Sequence, residues 1–141
     1  VTSPDNIMMC CKLANGATAS IHIAAVYWAE GFRFVIHGCE GTLVATGDIS
    51  PQRGQMLRVQ GSQRSRDLKD MPVPERFVWV PSEFPRGDPF NVGQLYALFA
   101  EAISTGKMPD RLPTFDTAVD LHRLLDTIKE ASDTGREVRV G

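Results

Sequence analysis

The hydrophobic period of this chain changes once, and that change limits the folds open to it. From Ile7 to about Val80 the apolar residues come in short, alternating, turn-bounded runs. From Asp88 onward they recur every three to four residues. Strands are therefore segregated from helices, which predicts an α+β domain rather than an alternating βαβ chain. The fold expected is an open, mostly antiparallel or mixed sheet of about six strands, with helices on one face and residues 1–141 in a single domain. With 141 residues, 43 % hydrophobic and 23 % charged, the chain has the size and composition of one globular domain.

Asn15-Gly16, set between two apolar runs, is a hairpin signal, because both residues tolerate the positive φ of a type I′ turn. A two-residue loop places Ala14 opposite Ala17. That register collects Met8, Cys10, Ala19, Ile21 and Ile23 on one face. The other face receives Ile7, Met9, Cys11, Leu13, Thr18, Ser20 and His22. The second face carries no charge, so Met9, Cys11, Ser20 and His22 are candidate interface residues. Helices cover only one side of such a sheet, and an uncharged open face predicts self-association through it. Further strands are expected at 32–37, 42–46, 56–60 and 76–80, with the polar segment 61–70 as an exposed tip or loop. The prolines around the last of these, at 72, 74, 81 and 85, suggest an edge.

Asp88-Pro89 reads as a helix start, with Asp88 as N-cap, and Gly106 as its end. Val92, Leu95, Tyr96, Phe99, Ala102 and Ile103 then form one stripe. A second helix is expected from near Thr114, with Asp116 in its first turn. Its stripe is Ala118, Leu121, His122, Leu125 and Ile128, closing before Gly135 and a short terminal strand in "REVRV".

The stretch "IHGCEGTL", residues 36–43, tests for a phosphate loop. Such loops carry a third glycine or a Gly-Lys pair and run into a helix whose N-terminus holds the anion. Here Gly38 and Gly41 lead into the β-branched run "TLVAT", and Glu40 would repel a phosphate. The stretch reads as a tight β-turn that uses glycine for positive φ. The histidines, His22, His37 and His122, show no metal-ligand spacing, and there is no CxxC pair. The basic cluster of Arg53, Arg58, Arg64, Arg66 and Lys69 is diluted by Asp67 and Asp70 and lacks interleaved aromatics. With a net charge of −2, this argues against nucleic acid and anionic membranes as partners. The sequence shows no run of ~20 apolar residues, and its opening does not read as a basic-then-apolar signal segment. Three cysteines, an odd number with Cys10 and Cys11 adjacent, suit reduced thiols and a cytoplasmic location. Tyr27 and Trp28, beside Glu30 and Arg33 at a strand-to-strand turn, are candidate substrate-side residues.

Three phrases, "PDNIMMCCKLANGATASIHIAAV", "FRFVIHGCEGTL" and "PTFDTAVDLHRLLDTIKEASDTGREVRV", occur in this order across nearly the whole chain. Together they resemble the C-terminal domain of the Gfo/Idh/MocA oxidoreductases, the glucose–fructose oxidoreductase and inositol dehydrogenase family. The resemblance implies an N-terminal Rossmann domain that binds NAD or NADP, partnered by this open-sheet, substrate-side domain, which also mediates oligomers. The implied chemistry is hydride transfer at a hydroxyl-bearing carbon of a sugar, polyol or related compound. The family's Glu-Lys-Pro motif and its Asp-x-x-x-His pair have no counterpart here, and the dinucleotide fingerprint is missing. No catalytic, cofactor-binding or metal-binding residue is carried over. With an opening at Val1 rather than Met, the expectation is a fragment that lacks the Rossmann half, binds no cofactor and is inactive alone. The rivals are a stand-alone binding or dimerisation module, and a small hydrolase or isomerase using the Trp28 turn and a histidine.

Overall fold

A computed structural model describes residues 4–25, 31–47 and 57–140. The order is β1 (Asn6–Lys12), β2 (Thr18–Ala24), β3 (Phe32–His37), β4 (Gly41–Gly47), β5 (Arg58–Gln63) and β6 (Lys69–Asp70). A 3₁₀ turn (Glu75–Phe77), α1 (Asp88–Thr105) and α2 (Phe115–Thr134) follow. This is the α+β class, with six strands among the described residues, and each pair of them that is hydrogen-bonded is antiparallel. The six strands form two sheets, the β1–β2 hairpin and the four-stranded meander β3-β4-β5-β6. The chain divides into two compact units, Val1–Tyr27 with Pro113–Gly141, and Trp28–Leu112.

In the first unit, Asn15-Gly16 turns the chain as expected, but with one more loop residue. Leu13 and Ala17 close the loop: the Leu13 N–H donates to the Ala17 carbonyl at 2.8 Å, and the Gly16 N–H donates to the Leu13 carbonyl at 2.9 Å. Gly16 alone has positive φ, at 87°, as in a three-residue loop whose last residue is left-handed. The ladder consequently pairs Ile7 with Ile23, Met9 with Ile21 and Cys11 with Ala19. A one-residue slip moves one strand's side chains to the opposite face. The expected faces are therefore corrected. Ile7, Met9, Cys11, Leu13, Ala19, Ile21 and Ile23 share an apolar face, while Met8, Cys10, Lys12, Thr18, Ser20 and His22 share the other.

α2 begins where expected. The Thr114 hydroxyl accepts from the Thr117 N–H, and the Thr117 hydroxyl accepts from the Thr114 N–H, both at 3.3 Å. Gly135, with φ 64°, ends the helix in the left-handed region. The segment 137–140 forms no ladder with any described strand, so the terminal strand expected in "REVRV" is not observed.

In the second unit, β3 has the expected bounds, β4 gains one residue at each end, and β5 runs from Arg58 to Gln63. Met56, the expected start of that strand, lies outside the described residues. Residues 61–63 belong to β5, and 64–68 make the tip that leads into β6. The strand expected at 76–80 is a 3₁₀ turn followed by extended chain. Pro72, Pro74 and Pro81 restrict its flanks, and a side chain serves its backbone where a neighbouring strand otherwise would. Gln94 of α1 accepts from the Trp79 N–H (2.6 Å) and the Val80 N–H (3.0 Å), and donates to the Phe77 carbonyl (2.6 Å).

That clamp also decides which side of α1 faces inward. Gly93 lies against Phe84 and Val80, where an added Cβ would come within 2.8 Å of the Phe84 ring. Leu98, on the same side, is buried. The apolar stripe read from the sequence lies on the other side: Val92, Leu95, Tyr96, Phe99 and Ile103 are 47–70 % exposed. On α2 the expected stripe is likewise uncovered at Leu121 and Leu125, while Leu124, Thr127, Ile128 and Ala131 are half-buried. Gly87, with φ 93°, takes the N-cap position of α1, so Asp88 is its first helical residue and Pro89 its second. Among the described residues, the buried apolar side chains, Val44, Val80, Leu98 and Leu112, belong to the second unit.

Candidate functional site

The Gly38–Gly41 stretch is a two-residue hairpin connection. The Gly38 N–H donates to the Gly41 carbonyl at 2.8 Å, and the ladder continues through His37 and Thr42. Neither glycine has positive φ, contrary to the expectation for this turn. What Gly41 supplies is room: a Cβ there would collide with the Ser62 carbonyl of β5. Glu40 is tied to the β5–β6 tip, where its carbonyl accepts from the Arg64 N–H at 2.9 Å. Its carboxylate also accepts from the Arg64 guanidinium at 2.7 Å. The turn thus enters a strand and carries an occupied acid, the reverse of a phosphate cradle.

Register determines which side chains the meander brings together. Phe34 pairs with Ala45 and Ile36 with Leu43; Ala45 and Leu43 pair in turn with Val59 and Gly61. These residues share one face, and Met71 lies over Gly61 so closely that a Cβ there would meet its sulfur. Phe34, Ile36, Leu43 and Met71 are 44–55 % exposed. They form an apolar sheet face with a shallow groove of about 360 Å³ lined by Gly41, Leu43, Gly61 and Met71, among others. The opposite face buries Val44 and carries the polar groups. There the Asp70 carboxylate accepts from the Arg58 guanidinium at 2.7 and 3.1 Å. Those hydrogen bonds hold the Asp70 carboxyl below its ordinary range and raise the Arg58 guanidinium above its own. Glu83 is lowered as well, by its own backbone N–H and the Ser82 hydroxyl.

Of the residues singled out by sequence, Tyr27 and Trp28 lie outside the described residues. Met9 and Cys11 sit together on the apolar hairpin face, whereas Ser20 and His22 sit on the other. The His22 imidazole donates from Nε2 to the Asn6 side-chain carbonyl at 3.0 Å. His37 Nδ1 is 3.2 Å from the Thr42 hydroxyl, and His122 Nδ1 donates to the Ala118 carbonyl at 2.8 Å. Each histidine thus has a hydrogen-bond partner within its own hairpin or helix. Cys10, Cys11 and Cys39 are free thiols on exposed residues. Among the described residues, no group of three or more His, Cys, Asp or Glu side chains could hold a metal ion. Among those residues, no helix is long and apolar enough to cross a membrane.

Sequence reasoning missed the meander's apolar face, although its signal is present in the alternation Phe32, Phe34, Ile36 and Leu43, Ala45. What the described surface offers chemically is apolar area in four places, the hairpin face, the meander face, the α1 stripe and the exposed side of α2 at Phe115, Val119, Leu121 and Leu125. Comparisons of the chain with protein-family models, with curated proteins and with solved structures return no match.

Proposed function

We propose that this chain is the C-terminal, substrate-side and assembly domain of an NAD(P)-dependent oxidoreductase similar to the Gfo/Idh/MocA enzymes. The parent would move a hydride between the nicotinamide and a sugar, polyol or related hydroxyl compound in the cytoplasm. The observation that carries the reading is the ordered set of three phrases, each coinciding with a defined element. The first spans an Asn-Gly hairpin, the second spans β3 and its two-residue turn into β4, and the third starts at the Thr114-capped helix and passes its Gly135 stop. The exposed apolar faces support the assembly role, since surfaces of this kind belong to proteins that meet partners. Self-association is assigned to the open meander face of Phe34, Ile36, Leu43 and Met71. Ser20 and His22, both on the polar hairpin face, are withdrawn from that role. The hydride chemistry and dinucleotide site belong to the N-terminal Rossmann half, and this domain alone is inactive.

The coding sequence upstream of Val1 tests the proposal. A strand followed by G-x-G-x-x-G, and then a Glu-Lys-Pro motif, is expected. A different domain upstream, or none, would favour the stand-alone binding and dimerisation module.

A further inference from the structure

α1 turns its most apolar side away from the side that packs, a pattern that packing within its own unit does not require. One side is occupied: Gly93, Gln94 and Leu98 face the 77–84 segment and the buried interior of their unit. The other side carries Val92, Tyr96, Phe99 and Ile103, flanked by Leu95, with exposures of 54, 67, 53, 70 and 47 %. The spacing of four, three and four residues draws a straight stripe roughly 16 Å long. The only charged residues of α1 are Asp88 and Glu101, and neither lies within that stripe.

We infer that this stripe is the contact surface for a second copy of the same chain, packed antiparallel across a twofold axis. The stripe is its own complement. With the axis passing between Ala97 and Leu98, residue i of one copy lies opposite residue 195 − i of the other. Val92 then meets the partner's Ile103, and Tyr96 meets the partner's Phe99, so an aromatic pair forms twice around the axis. The same register brings Asp88, at the positive end of one helix, opposite the partner's Lys107, just beyond the negative end of the other. A parallel pairing would instead set Asp88 beside Asp88 and align the two dipoles. The five side chains expose roughly 600 Å² per copy, so a pair covers about 1,200 Å², the lower limit of specific stable interfaces. This surface extends the assembly role proposed above, is distinct from the meander face, and does not depend on the dehydrogenase chemistry.

Light scattering of the 141-residue protein at about 100 μM, with three sets of variants, tests the inference. Tyr96→Arg should halve the mass while leaving the circular dichroism spectrum unchanged, because Tyr96 is an exposed side chain. Phe34→Arg, on the meander face, should leave the α1-mediated pair intact. Lys107→Asp should raise the dissociation constant about tenfold, and adding Asp88→Lys should restore it to within about threefold. A monomeric wild-type protein, a mass that Tyr96→Arg does not change, or a charge swap that restores nothing would overturn the proposal. Dissociation by Phe34→Arg alone would keep the assembly role on the meander face and reject the α1 pair.

Discussion

Gln94 is a single side chain on which the backbone of a whole segment depends. Gln94→Leu keeps similar bulk and helix propensity while removing three hydrogen bonds, to the Trp79 N–H, the Val80 N–H and the Phe77 carbonyl. Val80 is buried and Trp79 half-buried, so water does not freely replace the lost acceptor. A buried group left without its partner costs about 1–3 kcal/mol. Two poorly hydrated donors and one more exposed carbonyl therefore bring the expected loss to about 3 kcal/mol. Gln94→Glu retains an acceptor for both N–H groups but cannot donate to Phe77 when ionised, so its loss should be roughly half as large. The assay is urea unfolding followed by tryptophan fluorescence in a Trp28→Phe background, which leaves Trp79 as the sole indole. With a slope of about 1.5 kcal/mol per molar, Gln94→Leu should lower the midpoint by roughly 2 M. A loss below about 1 kcal/mol, or a Leu variant as stable as the Glu variant, would show that the segment does not depend on this clamp.

Two substitutions separate the roles of the paired glycines. Gly41→Ala drives a Cβ into the Ser62 backbone and should cost about 2 kcal/mol, whereas Gly38→Ala should stay within about 0.5 kcal/mol; equal losses in denaturant titrations would refute the close-approach account. Acid sensitivity is the second test. Asp70 is depressed by Arg58, so the unfolded chain binds its proton first, and the stabilisation is fully present above the unfolded value of 3.8. It disappears as pH falls through the lower folded value. Asp70→Asn should flatten the pH dependence of the thermal midpoint in that acid window and nowhere near neutrality; an unchanged profile would show that the pair has no thermodynamic weight.

Local chemistry made the turns and helix ends legible in advance. Asn15-Gly16, Thr114, Gly106 and Gly135 act through their own backbone preferences, and each lies where those preferences put it. Register was less legible, because Asn-Gly serves both two- and three-residue loops. One additional loop residue separated Ser20 and His22 from Met9 and Cys11. The segment 76–80 has strand-like composition, but the partner that satisfies its backbone is a glutamine 14 to 17 residues away, which periodicity does not register. α1 misled for a related reason. Its apolar stripe is legible in the sequence, but the packed side is not, because Gly93 and Gln94 fit the 77–84 segment through shape and hydrogen bonding rather than hydrophobicity.

Titration calorimetry with NAD and NADP tests the central claim most directly, applied to the 141-residue protein and to the longer chain that the proposal requires. On the proposed reading the phosphate loop and the acidic ribose partner lie in the parent's Rossmann half, so the 141-residue protein is expected to lack the contacts that offset the ordering cost of a dinucleotide. The account predicts no saturable binding to the 141-residue protein and micromolar binding of one dinucleotide per chain to the longer form. Saturable micromolar binding to the 141-residue protein, or none to the longer chain, would contradict it.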